Sequence, residues 1–256
     1  MTPYCHNDMN KGNFTILENT PLGKGCFRLV LQAPEECKAE FIPGQFVQIS
    51  LEGFFLRRPI SVCDFEDGHL TLLVKKTGAG TEALSGLKEG DSLNLLYPLG
   101  NGFDCSAATS SALLIGGGIG AAPLLYLGKA LLGRGVKPTV VLGFNSACEA
   151  VLLEDFRSLG VDLHIATMDG TLGTKGFVTD AVREHSLKAG YFYCCGPTPM
   201  MKAVRAALGT DGEFSLEERM GCGAGFCYGC SIQTARGPKR VCEDGPVFKK
   251  EDLLWN

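Results

Sequence analysis

The alternation of apolar and polar positions changes rhythm twice along the chain. From about residue 12 to 104, short β-rich runs (CFRLVLQA, QFVQISL, HLTLLVK and DSLNLLY) are separated by Gly, Pro and acidic residues, the punctuation of strands joined by turns. No long helical period interrupts them. Several short strands at this spacing predict a small antiparallel barrel or sandwich, because a sheet must protect its own edges.

From about 105 to 212, the apolar runs SALLIG, TVVLGF, VDLHIA and YFYCC alternate with helix-like stretches such as PLLYLGKALLG and PMMKAVRAAL. Alternation requires crossovers and hence a parallel sheet. Helices on both faces would bury such strands completely, which explains their almost continuous apolar character. Ligands of such a domain bind at the carboxyl ends of the strands. The last stretch, 213–256, is rich in Gly and Cys and has too little periodic apolar sequence to build a core alone. The expected fold is therefore multi-domain: an N-terminal antiparallel β-barrel (12–104), a central α/β parallel-sheet domain (105–212) and a small C-terminal domain (213–256).

Composition narrows the function. With 256 residues, 45% of them hydrophobic and 20% charged, the chain can bury sizeable cores. A net charge of -4 and the lack of a long Lys/Arg run argue against nucleic-acid or anionic-membrane partners, which demand clustered cations. Cys105 to Gly128 contains no charged residue, yet Gly116, Gly117, Gly118, Gly120 and Pro123 interrupt it. It reads as a buried strand, a glycine turn and a helix start rather than a membrane span. The N-terminal MTPYCHNDMN has no basic region leading into an apolar one, so a cytoplasmic chain is expected. In a reducing compartment its twelve cysteines suggest metal ligands or buried thiols rather than disulfides.

Four of those cysteines, Cys222, Cys227, Cys230 and Cys242, form C-x4-C-x2-C-x11-C. That start matches plant-type [2Fe-2S] spacing, in which one loop supplies three thiolates and a more distant residue the fourth. Gly221, Gly223, Gly225 and Gly229 would let the backbone curl and aim N–H groups at sulfur. Four thiolates also bind zinc, although structural zinc usually takes two short Cys pairs. The other cysteines, among them Cys63, Cys148, Cys194 and Cys195, lack ligand spacing and read mostly as buried thiols.

Two further groups of residues bear on cofactors. Arg58-Pro59-Ile60-Ser61 lies at an expected strand and Gly78-Ala79-Gly80-Thr81 follows the next one. An arginine can pair with a diphosphate, and a Gly-Thr turn opening a short helix offers it backbone and hydroxyl donors; an ordinary surface arginine and turn would look the same. Gly118-Ile119-Gly120-Ala121-Ala122-Pro123 follows SALLIG, with proline where the dinucleotide fingerprint has its last glycine. YFYCC ends in Cys195-Gly196-Pro197-Thr198-Pro199-Met200, where a glycine at a strand's carboxyl end can admit a flat ring.

The order R-x-x-S, G-T, G-x-G-x-x-P and C-G-x-x-x-M resembles that of ferredoxin-NADP reductase-like flavoproteins. With the cysteine loop and Cys242-Glu243-Asp244-Gly245-Pro246-Val247-Phe248 at the end, the whole chain resembles the electron-transfer subunits of dihydroorotate dehydrogenases. The resemblance implies that Arg58, Pro59, Ile60, Ser61, Leu73, Val74, Lys75, Gly80 and Thr81 hold FAD. Cys222, Cys227, Cys230 and Cys242 would hold the cluster, and Gly118, Gly120, Cys195 and Gly196 would shape the nicotinamide nucleotide site. Ile60 departs from the wider reductase pattern, which has a flavin-stacking aromatic there. The implied partner is an FMN-containing catalytic dihydroorotate dehydrogenase subunit, in a heterotetramer of two of each. Its electrons would pass through the cluster and FAD to NAD+, serving pyrimidine biosynthesis.

NAD rather than NADP is expected, because 143–156 has no Lys or Arg to receive a 2′-phosphate while Glu149, Glu154 and Asp155 would repel one. His6, His69, His164 and His185 show no catalytic spacing. No general base is assigned, since hydride transfer between stacked rings depends on positioning. A bifurcating or hydrogenase-linked reductase subunit would share all three parts; a zinc-stabilised binding module would share only the fold.

Overall fold

The computed structural model describes residues 9–255; most of the N-terminal segment read above for a leader, with His6, lies outside them. Strands β1 (Asn10–Leu22), β2 (Cys26–Gln32), β3 (Phe46–Ile49), β4 (Arg58–Glu66), β5 (His69–Lys75) and β6 (Ser92–Leu99) close into a barrel in the order β1-β2-β5-β4-β3-β6. Every pairing is antiparallel. Alternate residues point inward, so Leu29, Leu31, Val47, Ile49, Leu70, Leu72 and Leu95 are fully buried in one core. β1 is absent from the apolar runs because Phe14 and Ile16 are its buried residues; pairing with β2 and β6 on both sides makes it a strand.

Helix α1 (Ala79–Ser85) links β5 to β6. The next segment runs β7 (Ala112–Gly117), α2 (Ala121–Gly133), β8 (Thr139–Phe144), α3 (Leu153–Ser158), β9 (Asp162–Thr167), β10 (Thr174–Lys175), α4 (Val178–Glu184), β11 (Tyr191–Cys195), α5 (Thr198–Ala207) and β12 (Asp211–Ser215). The uncharged run from Cys105 therefore becomes β7, a turn and α2. No helix among the described residues is long and apolar enough to cross a membrane. β13 (Ser231–Thr234) and β14 (Gly237–Arg240) form a hairpin, and β15 (Val247–Lys249) follows.

The large sheet has the order β10-β9-β8-β7-β11-β12-β15, parallel except for β15. From β7 the chain builds outward to β10, then crosses back to lay β11 on the other side. The β7/β11 boundary is thus the point where the strand order reverses, and open α/β sheets bind ligands in the crevice outside the strand ends there.

The parts share cores. Cys26, Cys63 and Leu73 of the barrel pack with Ala122, Leu125 and other α2 residues, while Lys129 bridges Asp64 and Glu66 and the Tyr126 hydroxyl donates to the Phe41 carbonyl at 2.8 Å. At the other end, β12 runs across position 212 and β15 pairs with it, so Cys230, Val241, Cys242, Phe248 and Leu253 join Phe192, Met201 and Phe214 in one cluster. The C-terminal segment is held by apolar surface that the sheet supplies.

Candidate cofactor cleft and cysteine loop

A cleft of about 310 Å³ opens between the β4–β5 side of the barrel and the carboxyl ends of β7 and β11. Arg58, Pro59, Ile60 and Ser61 line it from β4, Leu73, Val74 and Lys75 from β5, Thr81 from α1, and Gly120 and Cys195 from the sheet. Gly80, Gly118 and Gly196 are not among its lining residues. Gly80 lies under the Arg58 guanidinium, which also stands 4.8 Å over the Phe54 ring and donates to the Leu56 carbonyl.

The Thr81 hydroxyl is not aimed outward as a ligand donor. It accepts the N–H groups of Thr77 and Gly78 at 2.9 and 3.2 Å and donates to the Gly78 carbonyl at 3.0 Å. Its work is to fix the turn that opens α1, from which Thr77 and Thr81 line the cleft.

Gly120 meets β11 directly: a Cβ there would lie 2.4 Å from the Cys195 carbonyl oxygen and 2.8 Å from the Gly196 nitrogen. The second glycine of G-x-G-x-x-P is therefore what lets the β7 turn close onto the end of β11, where Gly116 and Cys195 lie in register. Cys195 is 2% exposed, and burial first, then the nearby Glu217, drives its thiol far above the usual range. It is at once a buried neutral thiol and part of the cleft wall.

Phe46, Leu216, Glu217, Glu218 and Met220 also line that wall, and sequence reasoning did not single them out. The acidic pair directly after the strand-like GEFSL was the available signal. Its surroundings desolvate Glu217 and raise its carboxyl, although the residue as a whole reaches solvent at the mouth.

Beyond Met220 the chain enters the cysteine loop. The N–H groups of Ala224, Phe226 and Cys227 point at the Cys222 sulfur (3.4, 3.2 and 3.4 Å), Gly225 N–H at Cys242 (3.2 Å), Gly229 N–H at Cys227 (3.5 Å) and Cys242 N–H at Cys230 (3.4 Å). Such donors stabilise thiolates. Burial opposes ionisation of Cys222, yet the N–H groups of Ala224, Cys227 and Phe226 outweigh it and bring the thiol down to about 7. Burial, then the neighbouring Cys230, pushes Cys242 up to about 12.

Among the described residues, no three Cys, His, Asp or Glu side chains converge as around a single ion. Six N–H donors spread over the four cysteine sulfurs suit the negative charge of an iron–sulfur centre. Arg240 ties the loop down, donating to the Gly225 carbonyl at 2.6 Å and pairing with Asp244 at 3.4 Å.

Residues 217–254 match the family model of the iron-sulfur cluster binding domain of dihydroorotate dehydrogenase B, and 114–206 match an oxidoreductase NAD-binding domain. The dihydroorotate dehydrogenase B (NAD(+)) electron transfer subunit of Listeria monocytogenes serotype 4a is 42% identical over 93% of this chain and 96% of its own. That of Shouchella clausii is 41% identical over 95% and 98%. The chain belongs to the family of dihydroorotate dehydrogenase B electron-transfer subunits. Among solved structures, that of an NADH-dependent reduced ferredoxin-NADP oxidoreductase, described for flavin-based electron bifurcation, superposes with a TM-score of 0.86 at 32% identity, covering 94% of this chain and 90% of its own. An Amycolatopsis cytochrome P450 reductase superposes at 0.69 and 25% identity, covering 78% and 65%.

As a dihydroorotate dehydrogenase B electron-transfer subunit, the chain is an oxidoreductase component with a ferredoxin-NADP reductase-like fold. Its remaining candidates sort by position. Glu149 follows β8 and its carboxylate accepts from Asn145 at 2.7 Å, whereas Glu154 pairs with Arg157 and Asp155 with Arg28 (2.6 Å); those two charges are already neutralised. Cys63 and Cys194 are buried as expected, but Cys148 is exposed on the turn after β8. His164 on β9 and His185 just after α4 have tilted rings with centroids 4.4 Å apart and do not line the cleft, and His69 is exposed at the start of β5.

Proposed function

We propose that this subunit carries electrons from an FMN-containing catalytic subunit that oxidises dihydroorotate to NAD+, using FAD in the barrel-side cleft and a [2Fe-2S] cluster in the cysteine loop. The observation that carries the reading is continuity: Met220 lines the cleft and Cys222 follows two residues later. FAD, when bound, exchanges a hydride with nicotinamide and single electrons with an iron–sulfur cluster. The chain's own residues position and insulate these groups.

Arg58 and the first-turn N–H groups of α1 would hold the diphosphate of FAD, with Pro59, Ile60, Ser61, Leu73, Val74, Lys75, Gly80 and Thr81 shaping its seat. Ile60 offers aliphatic contact in place of an aromatic stack. Gly118, Gly120, Cys195 and Gly196 would form the nicotinamide side, at the reversal point of the strand order. Cys222, Cys227, Cys230 and Cys242 would hold the cluster. On this reading 12–104 is the FAD domain, 105–212 the NAD domain and 213–256 the cluster domain.

The catalytic subunit would dock where the loop is open. Phe226 is 77% exposed, Tyr228 67%, and Cys227 between them is exposed; exposed aromatics of this kind mark partner surfaces. We assign two copies of each subunit to the complex. The likeness to the bifurcating oxidoreductase favours a second reading, a subunit of such a reductase, and the partner that co-purifies decides between them.

The test is the visible spectrum of anaerobically purified protein, with iron and sulfide assays, before and after NADH. Flavin bands with about two iron and two sulfide per chain, bleached by NADH, are expected. Zinc without sulfide and without flavin would overturn the reading.

A further inference from the structure

Gln48 occupies an unusual place. It sits in β3, whose four residues are all buried, and is itself 0% exposed. Its neighbours across the ladder are Pro59 on β4 and Leu96 on β6. A leucine would fill the same space without a polar group. Instead the side chain carries an amide whose Oε1 has no hydrogen-bond partner and whose Nε2 finds only the Met220 sulfur, at 3.9 Å. Buried amides that lack partners are costly and call for an explanation.

The cysteine loop accounts for the nitrogen end of this amide. Gly223, next to Cys222, has φ +69°, and a Cβ on it would lie 2.1 Å from Gln48 Nε2. The loop backbone has thus come as close to this amide as a residue without a side chain allows. Gln48 is a barrel residue that reaches the turn in which the Cys222 sulfur already collects three N–H donors. Its main chain is also fixed, because its carbonyl accepts Arg57 at 3.1 Å while Arg57 also binds Asn94 at 3.0 and 2.7 Å.

We propose that Gln48 is a positioning residue for the iron–sulfur centre: its amide, anchored in the flavin-side barrel, presents a hydrogen-bond donor to the sulfur environment of the Cys222 loop. The donor holds that loop against the barrel and favours the reduced, more negative cluster. Donors to cluster sulfur raise reduction potential because they stabilise added negative charge. The proposal rests on the cluster reading above; parent protein without iron and sulfide would sink that reading and leave Gln48 untouched.

The experiment is an EPR-monitored redox titration of the intact complex, with iron, sulfide and FAD content measured on the same samples, for the parent, Gln48→Leu, Gly223→Ala and the double variant. Gln48→Leu is expected to keep its FAD and cluster while the preference for the reduced cluster falls three- to tenfold, which for one electron is about 30 to 60 mV more negative. Gly223→Ala should reproduce that shift by pushing the amide away, and the double variant should add little to either single change. If Gln48→Leu fails to assemble a cluster, Gln48→Met keeps the length of the side chain without a donor and must shift the potential in the same direction. A loaded cluster with the parent's potential in either Gln48 variant overturns the proposal.

Discussion

At the scale of single residues, Glu213 is a buried carboxyl at odds with its surroundings. It is 4% exposed, and its Oε2 accepts the Asp104 N–H at 3.0 Å. Desolvation, only partly offset by that N–H, Lys249 and the Tyr191 hydroxyl, raises its carboxyl from 4.5 to about 7. The folded chain therefore holds this proton more tightly than the unfolded one. Its contribution is complete below pH 4.5 and is lost as the pH rises to about 7, by up to about 3 kcal/mol at 1.36 kcal/mol per unit. Glu213→Gln should flatten the denaturation midpoint over that window, and an unchanged pH profile would remove Glu213 as its source. Cys227→Ser makes a separate prediction: iron and sulfide should be lost or severely perturbed while FAD stays bound, because the flavin residues lie on β4, β5 and α1. Loss of both cofactors would contradict that separation.

Between elements, the contact that matters most is the turn after β7 against the end of β11. A methyl group on Gly120 would strike the backbone carbonyl of Cys195 rather than a yielding side chain, so the two strand ends must part. Overpacking of this kind costs about 1–3 kcal/mol. Gly120→Ala should lower the melting temperature and weaken NADH binding at least tenfold, read by calorimetry and titration. Full-strength NADH binding would show that the cleft tolerates a wider gap at this point. Elements also explain what the apolar pattern left out. β1 was not legible because its polar face is solvated and its geometry comes from two neighbours. The strand starting at Arg58 was legible only through its arginine motif, since it presents mostly half-buried residues. Helices α3 and α4, with six and seven residues, are too short to set up a period of their own.

For the molecule as a whole, the parts are coupled through shared cores. The C-terminal segment contributes β15 to the large sheet and Phe248, Val241 and Leu253 to the cluster around Phe214. Cutting the chain after residue 212 removes most of β12 and all of β15, and uncovers Phe192 and Phe214's former partners in the sheet. Such a truncation should aggregate or melt far below the intact protein. A soluble fragment with an unchanged melting temperature would mean that the α/β domain is independent of the segment carrying the cysteines.

By itself the sequence determined the three-part organisation, the barrel and parallel-sheet classes and the four spaced cysteines, because periodicity, crossover lengths and ligand spacing are properties of the chain. Only the tertiary structure decided that Thr81 caps its own turn, that Gly120 is a contact between two strand ends and that Glu217 and Met220 belong to the cleft wall. It also decided that six backbone N–H groups turn toward the cysteine sulfurs and that Gln48 of the barrel reaches Gly223 of the cysteine loop. Gln48 and Gly223 are 175 positions apart, and contacts at such separation depend on how strands close and sheets reverse. No local pattern encodes that closure.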